Sequence, residues 1–268
     1  MFLSVVLFSL WLGQSPDQRP AWNQPTEPFR IIGNVYYVGA AGVSSFLIAT
    51  SEGSILLDGG LPETAAQVIA NIARLGFDVK SVKYLLNSHA HFDHAGGLAA
   101  LKRASGATMV ASSGDSPALR AGSSDMPAVA VDRIVADGES VRVGDATLTA
   151  VITPGHTKGC TTWTMTTTEN GRPQRVLFYC STSVVDRLVG NAEYPQIVED
   201  YERSFDRLSR LEADVFLGNH PVFFNLEGKR KRMAGATTNP FVDPTELQRF
   251  VAASRSEFRA ALEKQRRR

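Results

Sequence analysis

Residues 82–97 read VKYLLNSHAHFDHAGG: a short apolar run, then His89, His91, Asp93 and His94 within six positions, then a glycine pair. The run predicts a buried strand over 82–86, and 97–104 predicts a short helix stopped at Gly106. Imidazole and carboxylate are ligands of borderline divalent cations such as zinc. In an extended segment alternate side chains project to one side, so His89 and His91 can reach one ion. Asp93 and His94 fall where the chain turns into the next helix and can reach a second. A single loop histidine is most simply a solvated side chain. The H-x-H-x-D-H pattern beyond a buried strand has the ligand types and spacing of a metal centre.

The chain contains five histidines, and the two outside this segment occupy similar places. His156 lies in Thr153-Pro154-Gly155-His156-Thr157-Lys158-Gly159, after a predicted strand over 147–152. His220 lies in Leu217-Gly218-Asn219-His220-Pro221, after a predicted strand over 214–217. Every histidine therefore sits at a strand-to-loop junction, and all three segments can converge on one rim.

Further out, 35–38, 45–50 and 54–58 read as a meander of antiparallel strands. A helix follows with Ala65, Val68, Ile69, Ile72 and Leu75 on one face and Gly76 past its end. A second half repeats the theme, with strands over 133–135, 140–143, 147–152, 161–167 and 175–180, a helix marked by Ile197, Tyr201, Phe205 and Leu208, and the strand at 214–217. Two such halves can bury one sheet face against the other under outer helices, which predicts an α/β protein in four layers. Asp243-Pro244-Thr245-Glu246 opens a terminal helix that packs Leu247, Phe250, Val251, Phe258 and Leu262 by one face.

With 28 Lys+Arg against 27 Asp+Glu, the net charge of +1 gives no global field toward nucleic acid or anionic lipid. The basic runs at 229–232 and 264–268 read as solvated helix ends. Residues 1–12 (MFLSVVLFSLWL) are too short an apolar run to span a bilayer and suit a signal-peptide core. The expected organisation is a signal peptide over 1–15, a Pro- and Gln-containing linker over 16–28, and a single domain over 29–268. The mature protein is expected in the periplasm as a monomer, free of membrane and nucleic acid.

From about Phe29 to the final helix the sequence resembles the metallo-β-lactamase superfamily. The resemblance is carried by Leu56-Leu57-Asp58-Gly59-Gly60, the H-x-H-x-D-H motif, the Gly155-His156-Thr157 element and the late His220. It implies the αββα sandwich and two zinc ions, one on His89, His91 and His156, the other on Asp93, His94 and His220. Asp58 would anchor the ligands by hydrogen bonds. Glyoxalase II and the lactonases of this fold typically carry a metal-bridging aspartate before the second-half helix. Here 176–183 holds no acid and Asp186 falls past the strand end. That points to the β-lactamase branch, and His94 directly after Asp93 resembles subclass B3.

The activity implied is hydrolysis of the β-lactam amide bond of penicillins, cephalosporins or carbapenems by a hydroxide shared between two zinc ions, conferring antibiotic resistance. Other dizinc hydrolases of the fold, a lactonase or a thioesterase, are the first alternative, and a non-catalytic zinc- or nucleic-acid-binding protein is the second. Ser181 and Ser183 would hold the drug carboxylate. Some B3 enzymes place a tyrosine near the carbonyl oxygen; here 184–187 reads VVDR, so that helper is either missing or replaced by Arg187. Drug preference is expected to depend on loops around 118–128 and on the linker. A hairpin turning at Asn170-Gly171 sets Cys160 and Cys180 nearly opposite each other, which allows a disulfide, a pair of buried thiols, or zinc ligation by Cys180.

Overall fold

A computed structural model describes residues 18–185 and 187–267. The expected signal peptide (1–15) and Asp186 lie outside the described residues. A short helix α1 (Arg19–Trp22) precedes a four-strand antiparallel meander: β1 (Phe29–Ile32), β2 (Val35–Tyr37), β3 (Phe46–Thr50) and β4 (Gly53–Leu57). Then come α2 (Ala65–Arg74), β5 (Val82–Leu86), α3 (Phe92–Ala95), α4 (Leu98–Ser105), β6 (Thr108–Ser112), α5 (Ser116–Ala121) and β7 (Arg133–Val135). Strands β5 to β7 extend the same sheet in parallel, giving seven strands in the order β1 to β7.

The second sheet begins with the meander β8 (Ser140–Val143), β9 (Ala146–Ile152), β10 (Thr161–Glu169) and β11 (Arg172–Tyr179). Helix α6 (Ile197–Leu208) returns the chain to β12 (Val215–Gly218), parallel to β11, and α7 (Leu226–Met233) and α8 (Glu246–Arg266) complete it.

Side-chain alternation explains the layering. On the first sheet Phe46, Ile48, Ile55, Leu57 and Leu86 join Leu148, Ala150, Trp163 and Phe178 of the second in one core. Their neighbours Leu47, Leu56 and Leu85 pack on the other side with Val68 and Ile72 of α2 and Leu98 and Leu101 of α4. A strand buried on both faces carries apolar residues at successive positions, as these do. Phe46 and Phe178 meet across the sheets with ring centroids 5.1 Å apart. Beyond the second sheet, Tyr201 and Phe205 of α6 pack against Phe258 of α8. The result is the expected four-layered αββα arrangement, with helices outside two facing sheets.

Four local expectations are corrected. Residues 108–112 form a strand, β6, that the sequence reading passed over. Strand β7 belongs to the first sheet, not to a second-half meander. Residues 116–121, expected within a loop, form α5. Within 16–28, residues 19–22 form α1, and its Arg19 pairs with Glu63 and Asp125.

The Asn170-Gly171 hairpin is as expected, with φ of 51° and 75° at the two turn residues, the left-handed pair of a two-residue turn. Its register is one residue off the expectation, because Glu169 pairs with Arg172, which would set Cys160 against Ser181. Both cysteines lie just beyond the ladder, with Cα atoms 5.9 Å apart, and they form a disulfide.

Candidate metal centre

All six expected ligands lie at ends of strands facing one rim. The parallel strand β5 delivers the 87–91 loop and α3, β9 runs into the loop carrying His156, and β12 ends at Asn219 and His220. Carboxyl ends of strands are where open α/β sheets expose loop side chains to ligands.

His89 Nε2 stands 3.1 Å from His91 Nδ1 and 3.1 Å from His156 Nε2. On the other side, His94 Nε2 is 3.1 Å from His220 Nε2, while Asp93 Oδ2 lies 3.2 Å from His94 Nε2 and 3.4 Å from His220 Nε2. The rings of His89 and His94 join the two groups at 4.5 Å. Ligand atoms of His89, His91 and His156 lie within 4.8 Å of one another, as do those of His89, Asp93 and His94.

Outer hydrogen bonds fix how these rings face. The Nδ1–H of His156 donates to the Ser183 carbonyl at 2.8 Å, and that of His220 to the Gly42 carbonyl at 2.9 Å. Each Nε2 is then a lone pair turned inward. Inward lone pairs about 3 Å apart repel unless a cation lies between them. Tetrahedral zinc with bonds of about 2.0–2.1 Å separates its ligand nitrogens by about 3.3 Å, close to the spacing observed. The donor set therefore fits a divalent metal, typically zinc.

Burial, followed by the neighbouring imidazoles, holds His89 well below its ordinary range, and burial does the same to His156. Both are thus neutral, as ligation requires. Burial alone would raise Asp93, but His94 and His220 hold it well below the carboxylate range. Burial opposes the charged form of His94, yet Asp93 and Asp58 raise it.

Asp58 closes the back of the site. Its Oδ1 accepts from the Ser88 amide at 2.7 Å and from Asn87 Nδ2 at 3.4 Å, and its Oδ2 faces His94 Nδ1 at 3.9 Å. Burial raises this carboxyl to about 6. The glycines after it permit a backbone contact: Gly59 N donates to the His94 carbonyl at 2.8 Å, and Gly97 N to the Gly60 carbonyl at 3.1 Å. A Cβ on Gly97 would stand 2.2 Å from the Gly59 carbonyl oxygen, so this close approach demands glycine.

Ser181 is buried, and its Oγ accepts from the Ser183 amide at 3.1 Å. Ser183 is exposed, and its carbonyl takes hydrogen bonds from His156 and from the Tyr201 hydroxyl. Arg187 Nε donates to the Val189 carbonyl within its own loop. Cys180 Sγ packs 3.8 Å from His89 Nδ1 on the side away from the converging nitrogens, and its bond to Cys160 answers which of the three cysteine fates holds.

The sequence reading missed two residues. Trp22, in the expected linker, places its ring 5.5 Å from His220 and 6.5 Å from Phe92. Asp115 looks from the sequence like an ordinary helix-start acid, yet its carboxylate reaches both histidine loops.

Residues 38–220 match the family model of the metallo-beta-lactamase superfamily. The chain belongs to that superfamily. It is similar to the solved structure of BJP-1, a subclass B3 metallo-beta-lactamase of Bradyrhizobium japonicum, at 42% identity and a TM-score of 0.89, covering 92% of this chain and 98% of that one. The native FEZ-1 metallo-beta-lactamase from Legionella gormanii is 37% identical with a TM-score of 0.88, covering 91% and 98% of the respective chains. A hydroxyacylglutathione hydrolase of Rhodospirillum rubrum is 34% identical over 98 residues. That match takes in 37% of this chain, and the chain spans about a third of that enzyme's length (34%). Fold, family and donor set together make this a metal-binding hydrolase of the metallo-beta-lactamase superfamily, most like the subclass B3 members.

Proposed function

We propose that the chain is a subclass B3 type β-lactamase that binds two zinc ions and opens the β-lactam amide of penicillins, cephalosporins or carbapenems. In this reading His89, His91 and His156 hold one ion, and Asp93, His94 and His220 the other. The observation that carries it is the second group: His94 and His220 both stand against Asp93, while Cys180 is committed to Cys160 and so is not a ligand. Similarity to BJP-1 over nearly its whole length supports the same reading.

Zinc, when bound, makes a water nucleophilic near neutral pH and polarises the carbonyl. The chain supplies orientation. Asp93 stays ionised between two imidazoles, so it can accept a hydrogen bond from the attacking water and aim it. Water adds to the carbonyl carbon, the C–N bond of the ring breaks, and the nitrogen leaves with a proton. The Ser181 Oγ accepts from the Ser183 amide and keeps its own proton as a donor for a substrate carboxylate, and the exposed Ser183 hydroxyl is the second donor. Trp22 shields the His220 edge from water. A periplasmic monomer belongs to the same proposal, and the Cys160–Cys180 disulfide suits an oxidising compartment.

The test is a side-by-side assay of the zinc-loaded protein with a carbapenem, an acyl-homoserine lactone and S-lactoylglutathione. The proposal expects the carbapenem to be the preferred substrate. Turnover of the thioester or the lactone alone would replace β-lactamase by another hydrolase of this fold.

A further inference from the structure

We propose that Asp115 is a positioning residue for the three-histidine half of the metal centre, its carboxylate tying the loop that carries His91 to the loop that carries His156. Asp115 directly precedes α5, where an aspartate ordinarily caps the first amides of the helix. Its side chain makes no such cap. It is instead turned inward, 4% exposed, with three donors on it. Oδ2 accepts from the Ala90 amide at 3.0 Å and from the Thr157 hydroxyl at 2.8 Å, and Oδ1 accepts from the Gly159 amide at 2.9 Å.

Ala90 lies between His89 and His91, and Thr157 follows His156, so one carboxylate binds the backbone amide beside one pair of ligands and the hydroxyl side chain beside the third. Gly159 is held at its carbonyl too, where Ser112 Oγ donates at 2.6 Å. The fit excludes side chains: a Cβ on Gly159 would lie 2.4 Å from the Asp115 amide nitrogen, and one on Gly114 would lie 2.6 Å from the Lys158 carbonyl oxygen. The bracket crosses from the first half of the molecule to the second. It serves the three-histidine group as Asp58 serves Asp93 and His94. The burial that raises Asp115 is met by its three hydrogen bonds, which favour the ionised form.

Chemistry makes the carboxylate hard to replace. Three donors converge on two oxygens, and an asparagine would have to point its NH2 at one of them. Loss of an outer partner of a metal ligand typically weakens metal binding by about 10–100-fold.

This inference rests on the metal reading of His89, His91 and His156 and not on the choice of substrate. Its test measures zinc affinity by chelator competition in an Asp93→Ala background, where the remaining binding step belongs to the three histidines. Asp115→Asn should weaken that step by about 10–100-fold. Thr157→Val should weaken it less, and Thr157→Ser should restore it. Melting of the metal-free forms is recorded alongside. A purely structural role would lower the melting temperature of Asp115→Asn and Thr157→Val and leave zinc affinity unmoved, which overturns the proposal. Should Asp115→Asn fail to fold, Thr157→Val against Thr157→Ser decides it alone. A parent protein that binds no zinc defeats the metal reading itself, a result distinct from a parent that binds and variants that bind equally well.

Discussion

Asp58→Asn should stabilise the metal-free protein while weakening its hold on zinc. Asp58 is fully buried, and burial raises its carboxyl from 3.8 to about 6. A raised acid loses stability as pH climbs from the unfolded value through the folded one, so above about pH 6 the ionised group costs roughly 3 kcal/mol relative to its neutral form. Asparagine escapes that cost. It keeps an oxygen for the Ser88 amide, now 2.7 Å from the carboxylate, and the raised value already includes what that hydrogen bond gives the charged form. It also tolerates the left-handed backbone at this position, where φ is 61°. The net gain is roughly 3 kcal/mol at pH 7, a melting rise of roughly 6–12 °C for a chain of this size.

Zinc reverses the sign, because a cation in the adjoining group favours the buried negative charge. Affinity should fall by about 10–100-fold. Calorimetry of chelator-treated wild type and variant, repeated at pH 7 and pH 3.5, separates the terms, since the variant's advantage should vanish at the lower pH. A variant that melts below wild type at pH 7 without metal, or one whose zinc affinity is unchanged, refutes this.

Gly97→Ala should lower metal content and cost roughly 1–3 kcal/mol by overpacking, because the new methyl meets backbone that cannot step aside; thermal melts and elemental analysis check both. Cys160→Ser opens a covalent loop of 20 residues, and chemical denaturation should show a loss of about 3 kcal/mol that reductant reproduces in the parent protein. Arg175 holds Asp214, and Arg249 holds Asp243, below the ordinary carboxylate range. Their contribution is present above about pH 4 and lost as pH falls through the folded values, so the acid limb of stability should flatten in Asp214→Asn.

Much of this molecule follows from local pattern. The ligand-bearing loops sit where apolar runs stop, and strands buried on both faces leave little else for 46–48, 55–57 and 84–86 to be. Strand β6 escaped because Thr108–Ser112 has small, mixed side chains whose burial comes from neighbours on both sides. Strand β7 was placed in the wrong half because a parallel pairing is set by a crossover connection and leaves no mark in three residues. The hairpin register slipped by one because a two-residue turn has its centre between Asn170 and Gly171, which sets Cys160 against Ser181 and not Cys180. Asp115 was out of reach for another reason: its partners stand 25, 42 and 44 residues away, and only tertiary structure brings them together. Trp22 is similar, a tryptophan in a polar stretch until His220 arrives beside it.

The claim beneath all of this is that Asp93, His94 and His220 form a second metal group beside the three histidines. Zinc counted by elemental analysis, on protein whose folding is confirmed by circular dichroism, tests it most directly. The account predicts two zinc ions per chain, falling to one when Asp93 and His220 are both replaced by alanine. A folded parent chain that holds no zinc, or a double variant that still holds two, contradicts it.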